Sequence, residues 1–97
     1  MAKGYWISVY RTIHDPDTLA AYDKLAAPAV KAAGGRVLSL GTRLTAHEAA
    51  TTHRVVLIEF DTYDQAITAY HSHAYQQALT TLADSAERDF RIIEATH

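Results

Sequence analysis

Apolar and polar positions alternate along "GYWISVYR", Gly4 to Arg11, with Trp6 and Tyr10 on one side and Ile7 and Val9 on the other. A period of two carried by aromatic and β-branched residues predicts a β-strand. The period then lengthens: Leu19, Tyr22, Ala26, Ala29, Val30 and Ala33 recur at helical spacing and share one face. In "HDPD" just before them, Asp15 is a helix cap, Pro16 suits a first turn and Asp17 adds favourable charge there. Pro28 falls inside this helix and is expected to kink it, because proline removes a backbone donor. Gly34 and Gly35 end it.

"RVLSLG", Arg36 to Gly41, predicts a second strand, and the polar, alanine-rich stretch Thr42 to Thr52 a loop or frayed hairpin end. "HRVVLIEF", His53 to Phe60, is the strongest strand signal in the chain. There Val55 and Leu57 face one way while Val56, Ile58 and Phe60 face the other. Thr62 followed by Gln65 predicts a capping box, opening a helix on which Tyr63, Ala66, Ile67 and Tyr70 share a face. After Ser72 a second helical stripe runs through Tyr75, Ala78, Leu79 and Leu82. "DFRIIEA", Asp89 to Ala95, predicts a closing strand.

The order β-α-β-β-α-β predicts one α+β domain over residues 1–97, of ferredoxin-like type with a four-stranded antiparallel sheet. Two helical regions on one face leave the other face apolar and bare, which predicts a homodimer packed sheet against sheet.

Composition narrows the function. Hydrophobic residues make up 48% of the 97, as in a globular domain. Lys and Arg number 9 against 11 Asp and Glu with no basic run, so the cationic footprint for nucleic acid is missing. With no cysteine, disulfides, thiolate metal sites and cysteine nucleophiles are excluded. No apolar run approaches the roughly 20 residues of a membrane helix, and the start lacks a signal-peptide core. A soluble cytoplasmic protein is expected.

Several pieces carry a family pattern: "KGYW" at Lys3–Trp6, Pro28, "GGR" at Gly34–Arg36, "RVVLIEF" at Arg54–Phe60, and "YHSHAY" at Tyr70–Tyr75. By them the chain resembles domain-of-unknown-function family 1330, a branch of the dimeric α+β barrel superfamily. The family's last motif reads aromatic, any residue, Ser, Pro, Glu, Tyr. Here His73 stands for the proline and Ala74 for the glutamate, and Leu82 stands about where an arginine is common. Related branches include cofactor-free monooxygenases, small-molecule cyclases and isomerases, haem-degrading enzymes and stress-responsive binding proteins. The resemblance implies a pocket between sheet and helices, near the break in the second helical region.

The candidates for chemistry gather at that break and on the strands. Ser72 suits a cap, and Tyr70 and Tyr75 fall on apolar stripes, where a buried hydroxyl seeks a partner that a pocket can supply. His71 and His73 have the residue type of a general base, or are two exposed residues at a helix start. Two residues apart they do not share a helix face, and no HxxxH or HExxH spacing occurs, so a metal site is not expected. Glu59 interrupts the apolar strand on the Val55–Leu57 face. It is either a structural ion pair with Arg36 or Arg11, or a base of raised pKa facing the pocket. Ser8 and Ser39 are small polar gaps that leave room for a ligand or simply pack.

Two functions follow. One is an enzyme without metal or organic cofactor, moving a proton on a hydrophobic or aromatic oxygenated substrate through His71, His73, Glu59 or Tyr75, with Tyr70, Ser72, Ser8, Ser39 and Arg36 as binding residues. The other is a non-catalytic, ligand-binding or stress-related homodimer of the same shape.

Overall fold

The computed structural model describes residues 2–97. Seven elements follow one another: β1 (Gly4–Ile13), α1 (Pro16–Ala32), β2 (Arg36–Gly41), β3 (Val55–Phe60), α2 (Tyr63–Tyr70), α3 (His73–Leu82) and β4 (Ala86–Glu94). The strands form one antiparallel sheet in the order β2-β3-β1-β4, the ferredoxin-like arrangement expected from the sequence.

The strand period sorts side chains between the two faces. Trp6, Tyr10, Val56, Ile58 and Phe60 are buried with the inner helix residues Leu19, Tyr22, Val30, Ala66, Tyr75 and Leu82. Trp6 sits at the centre of this core. Its ring packs against Phe60, Tyr70, Tyr75 and Phe90 at centroid distances of 4.7–6.1 Å. Its indole Nε1–H donates to the Ala66 carbonyl at 2.8 Å and so pins α2 to the sheet. The approach is closest at Gly4, where a Cβ would come within 2.6 Å of the Tyr63 backbone.

Local signals set the helix ends. Asp15 accepts from the Thr18 N–H, and Thr62 from the Gln65 N–H. The Gln65 side chain departs from a capping box: its Oε1 accepts from the Asp61 N–H while its Nε2 donates to the Ala33 carbonyl, tying α2 to the end of α1. α1 continues past the exposed Pro28. It closes where the Gly35 N–H reaches the Val30 carbonyl and the Gly34 N–H the Lys31 carbonyl, with Gly34 at φ 92°. This double closure needs a left-handed residue, and glycine takes that shape without penalty.

Strand ends differ from expectation. β1 runs on to Ile13, and β4 begins at Ala86 rather than Asp89, because Thr12 and Ile13 pair with Glu87 and Ala86 beyond a bulge at Arg11. β3 begins at Val55 rather than His53.

β2 lies outside the helical cover. Its inner-face residues Val37 and Leu40 stay 52% and 54% exposed, and its register shifts between Val37 and Ser39. The sheet's other face carries Tyr5, Ile7, Val9, Val55 and Leu57 with no helix above them. No helix among the described residues is long and apolar enough to cross a membrane.

Candidate functional site

A cavity of about 250 Å³ opens between α1, α3 and the inner face of the sheet. Its floor is β1, from which Trp6, Ser8 and Tyr10 project at alternate positions, flanked by Val56 and Ile58 of β3 and by Arg88 and Phe90 of β4. Its roof is Tyr22, Ala26 and Val30 of α1 with Tyr75 of α3. The side toward β2 is edged by the half-exposed Val37 and Leu40.

Apart from Ser8, the lining is apolar except for two clusters. In the first, Tyr22 and Tyr75 bring their hydroxyls to 2.7 Å, and Arg88 donates to both, at 3.2 Å to Tyr22 and 3.4 Å to Tyr75. Burial raises the Tyr22 pKa further above its ordinary value, and Tyr75 adds to the effect. Burial raises that of Tyr75 too, against the pull of Arg88. Both phenols therefore stay protonated at neutral pH; one gives its proton to the other across the 2.7 Å contact, which leaves one hydroxyl proton free to donate. Burial is the largest influence on Arg88 and opposes its charge; the attraction to Tyr22 and Tyr75 that raises its pKa acts in full only where those phenols ionise, far above neutral pH. The guanidinium lies 4.9 Å from the centre of the Phe90 ring and 5.3 Å from that of Tyr22.

In the second cluster, Arg54 grips Asp23 with two bonds of 2.6 and 2.8 Å and donates to the Tyr10 hydroxyl at 3.0 Å. Its guanidinium stacks 4.6 Å from the Tyr10 ring centre. This fork-to-fork pair ties α1 to the start of β3, and it holds the Arg54 pKa above its ordinary value.

The sequence candidates divide sharply. Tyr75 and Ser8 line the cavity. Tyr70 is half-buried and packs edge-on against Trp6, outside the lining. Ser72 does its work at the helix break, accepting from the Tyr75 N–H and donating to the Ala69 carbonyl. His71 and His73 are exposed and neither reaches the cavity. Tyr75, Ala78 and Leu82 are the buried positions of α3, spaced as one helix face; His73 lies off that stripe, and His71 caps the end of α2 before α3 begins. Ser39 is exposed on β2. Glu59 lies on the sheet face away from the cavity, bonded by Arg36 Nη2 at 3.0 Å, Tyr5 Oη at 3.2 Å and Lys3 Nζ at 3.4 Å. Arg11 faces Asp89 instead. These neighbours, Arg36 first, lower the Glu59 pKa below its ordinary value, the direction opposite to that of a pocket base.

Tyr10, Tyr22, Asp23, Arg54 and Arg88 were not among the sequence candidates. The strand period held the signal for three of them. Counting back by two from Phe60, Ile58 and Val56 reaches Arg54, from Ile92 and Phe90 reaches Arg88, and forward from Trp6 and Ser8 reaches Tyr10. No cluster of three or more His, Cys, Asp or Glu side chains suited to a metal ion occurs among the described residues.

A family model described as domain of unknown function (DUF1330) matches residues 3–96. No curated protein matches the sequence. Among solved structures, the chain is similar to a protein of unknown function from Rhodopseudomonas palustris, with TM-score 0.70 and 19% identity over 99% of this chain and 82% of that one. It is also similar to a candidate antibiotic biosynthesis monooxygenase from Caulobacter crescentus, with TM-score 0.62 and 18% identity over 99% and 91%. A third is a dimeric protein of unknown function and ferredoxin-like fold from Bacteroides fragilis, with TM-score 0.56 and 16% identity over 96% of each chain. At these identities the likeness is one of fold.

Proposed function

The chain belongs to the DUF1330 family, and from that premise we propose that it is a small-molecule-binding α+β barrel protein acting on a hydrophobic or aromatic oxygenated substrate. The observation that carries this reading is an apolar cavity ending in two tyrosine hydroxyls 2.7 Å apart. Such a cavity holds the body of a ligand on Trp6, Val56, Ile58 and Phe90 and directs its oxygen to Tyr22 and Tyr75. The one phenol proton not engaged between the two hydroxyls gives a hydrogen bond to that oxygen and stabilises charge building on it. The reaction class this serves is proton transfer beside a carbonyl, as in cyclisation or isomerisation, where solvent water takes the α-proton and the oxygen becomes an oxyanion.

One observation favours a second reading, a binding protein without turnover. Among the described residues Asp23 is the one carboxylate lining the cavity, and both its oxygens are held by Arg54. No free base therefore stands inside.

Proton–deuterium exchange at the α-carbon of aryl ketones in deuterated buffer, followed by proton NMR, separates the two. The enzyme reading expects exchange faster than in buffer, falling roughly 10²-fold in Tyr75→Phe, which removes one donor to the oxyanion. Ketone binding by calorimetry without accelerated exchange leaves the binding reading. Absence of both sinks the proposal.

A further inference from the structure

Among the described residues, no counter-charge pairs with Arg88. The paired arginines Arg11, Arg36, Arg54 and Arg91 each lie 2.6–3.9 Å from a carboxylate. Arg88, projecting into the cavity from β4, has for hydrogen-bond partners only the Tyr22 and Tyr75 hydroxyls. Of the charged groups lining the cavity, Asp23 neutralises Arg54, which leaves one positive charge against apolar walls. Desolvating a guanidinium without an anion is costly, and bracing two phenols does not require the charge.

A second polar atom is also left without a partner. Ser8 on the cavity floor is 4% exposed, and its Oγ makes no hydrogen bond. Buried hydroxyls without a partner are rare, and one facing a cavity is satisfied by whatever fills it. The cavity, at about 250 Å³, is smaller than the roughly 300–1,000 Å³ of sites for drug-sized ligands. A body of one or two rings fits.

We propose that the cavity is a receptor for a compact apolar monoanion, with its negative oxygen on Arg88 beside the Tyr22 and Tyr75 hydroxyls and a second polar atom at Ser8. The inference rests on the small-molecule reading above and narrows it. The shared chemistry of the ligand is one negative charge on oxygen, whether carboxylate or phenolate. A guanidinium meets a carboxylate with two parallel bonds and an ionised phenol with one.

The test is calorimetry with matched pairs: phenylacetate against methyl phenylacetate, and 4-nitrophenolate against 4-nitroanisole. The anion of at least one pair is expected to bind about tenfold or more tighter than its neutral partner, the worth of a charge-assisted hydrogen bond. A preference in the first pair alone assigns a carboxylate, and in the second alone a phenolate. In Arg88→Met the anion's advantage over its neutral partner disappears. Equal affinities within both pairs overturn the monoanion but leave the small-molecule reading standing. No binding by any of the four overturns both. Should Arg88→Met fail to fold, the paired comparison in the unaltered protein decides by itself.

Discussion

Glu59 stands alone among apolar strand neighbours, with Arg36, Lys3 and Tyr5 converging on its carboxylate. Because its pKa is lowered on folding, the stabilisation it brings is fully present above the ordinary glutamate value, near 4.3, and is lost as pH falls through the lower folded value. Glu59→Gln should therefore melt below the parent above about pH 5, and the gap should close as pH falls below the ordinary glutamate value. A gap that is constant across that range would show that the charge is not what matters. At this scale the sequence was half legible. That Glu59 needed a partner followed from its place in the strand, and Arg36 was one of two named. Arg88 and Arg54 were missed because a reading of apolar periodicity stops at the last apolar residue. An arginine at a strand end then reads as a solvated terminus, and only tertiary packing reveals that α1 and α3 roof it over.

Helix ends were set largely by short-range chemistry. The caps at Asp15, Thr62 and Ser72 and the glycine closure of α1 all lie where the sequence places them. The turn from α3 to β4 was not foreseen. The Ser85 N–H donates to the Leu82 carbonyl across a four-residue turn in which Ala83 takes φ 46° and ψ −122°. That conformation is suited to glycine and is strained with a Cβ. Ala83→Gly is expected to stabilise the protein by about 0.5–1 kcal/mol, the strain relieved exceeding the backbone entropy that glycine adds to the unfolded chain. Scanning calorimetry should record a rise of roughly 3–6 °C; a fall in melting temperature would mean the turn is not strained. No glycine or asparagine marks this position, so nothing local announced it. The same blindness applies to β2, whose strand pattern is clear but whose place beyond the helical cover is a matter of topology.

The described molecule measures 37 × 32 × 17 Å, a thin body with helices on one side only. Its other side presents Ile7, Val9, Val55, Leu57 and Ile93, the last 52% exposed. A homodimer packed through this face is our proposal, supported by that apolar surface. Light scattering should give twice the 10.7 kDa chain mass, and Leu57→Lys should return it to one chain while the circular dichroism spectrum is kept. A monomeric parent at micromolar concentration would exclude the dimer. The element order alone fixed the architecture, since few topologies suit β-α-β-β-α-β. The cavity was beyond such reading, because its volume is the gap that side chains from four elements leave unfilled.

The chain has a single tryptophan, and it is the cavity floor. Trp6 sits 4.7 Å from the Tyr75 ring and 6.1 Å from that of Tyr70, so light absorbed by these tyrosines passes to one indole. The emission of the whole protein thus comes from one spot, beside the two hydroxyls and Arg88. Its colour and intensity are a built-in optical readout of cavity occupancy, requiring neither label nor engineered probe.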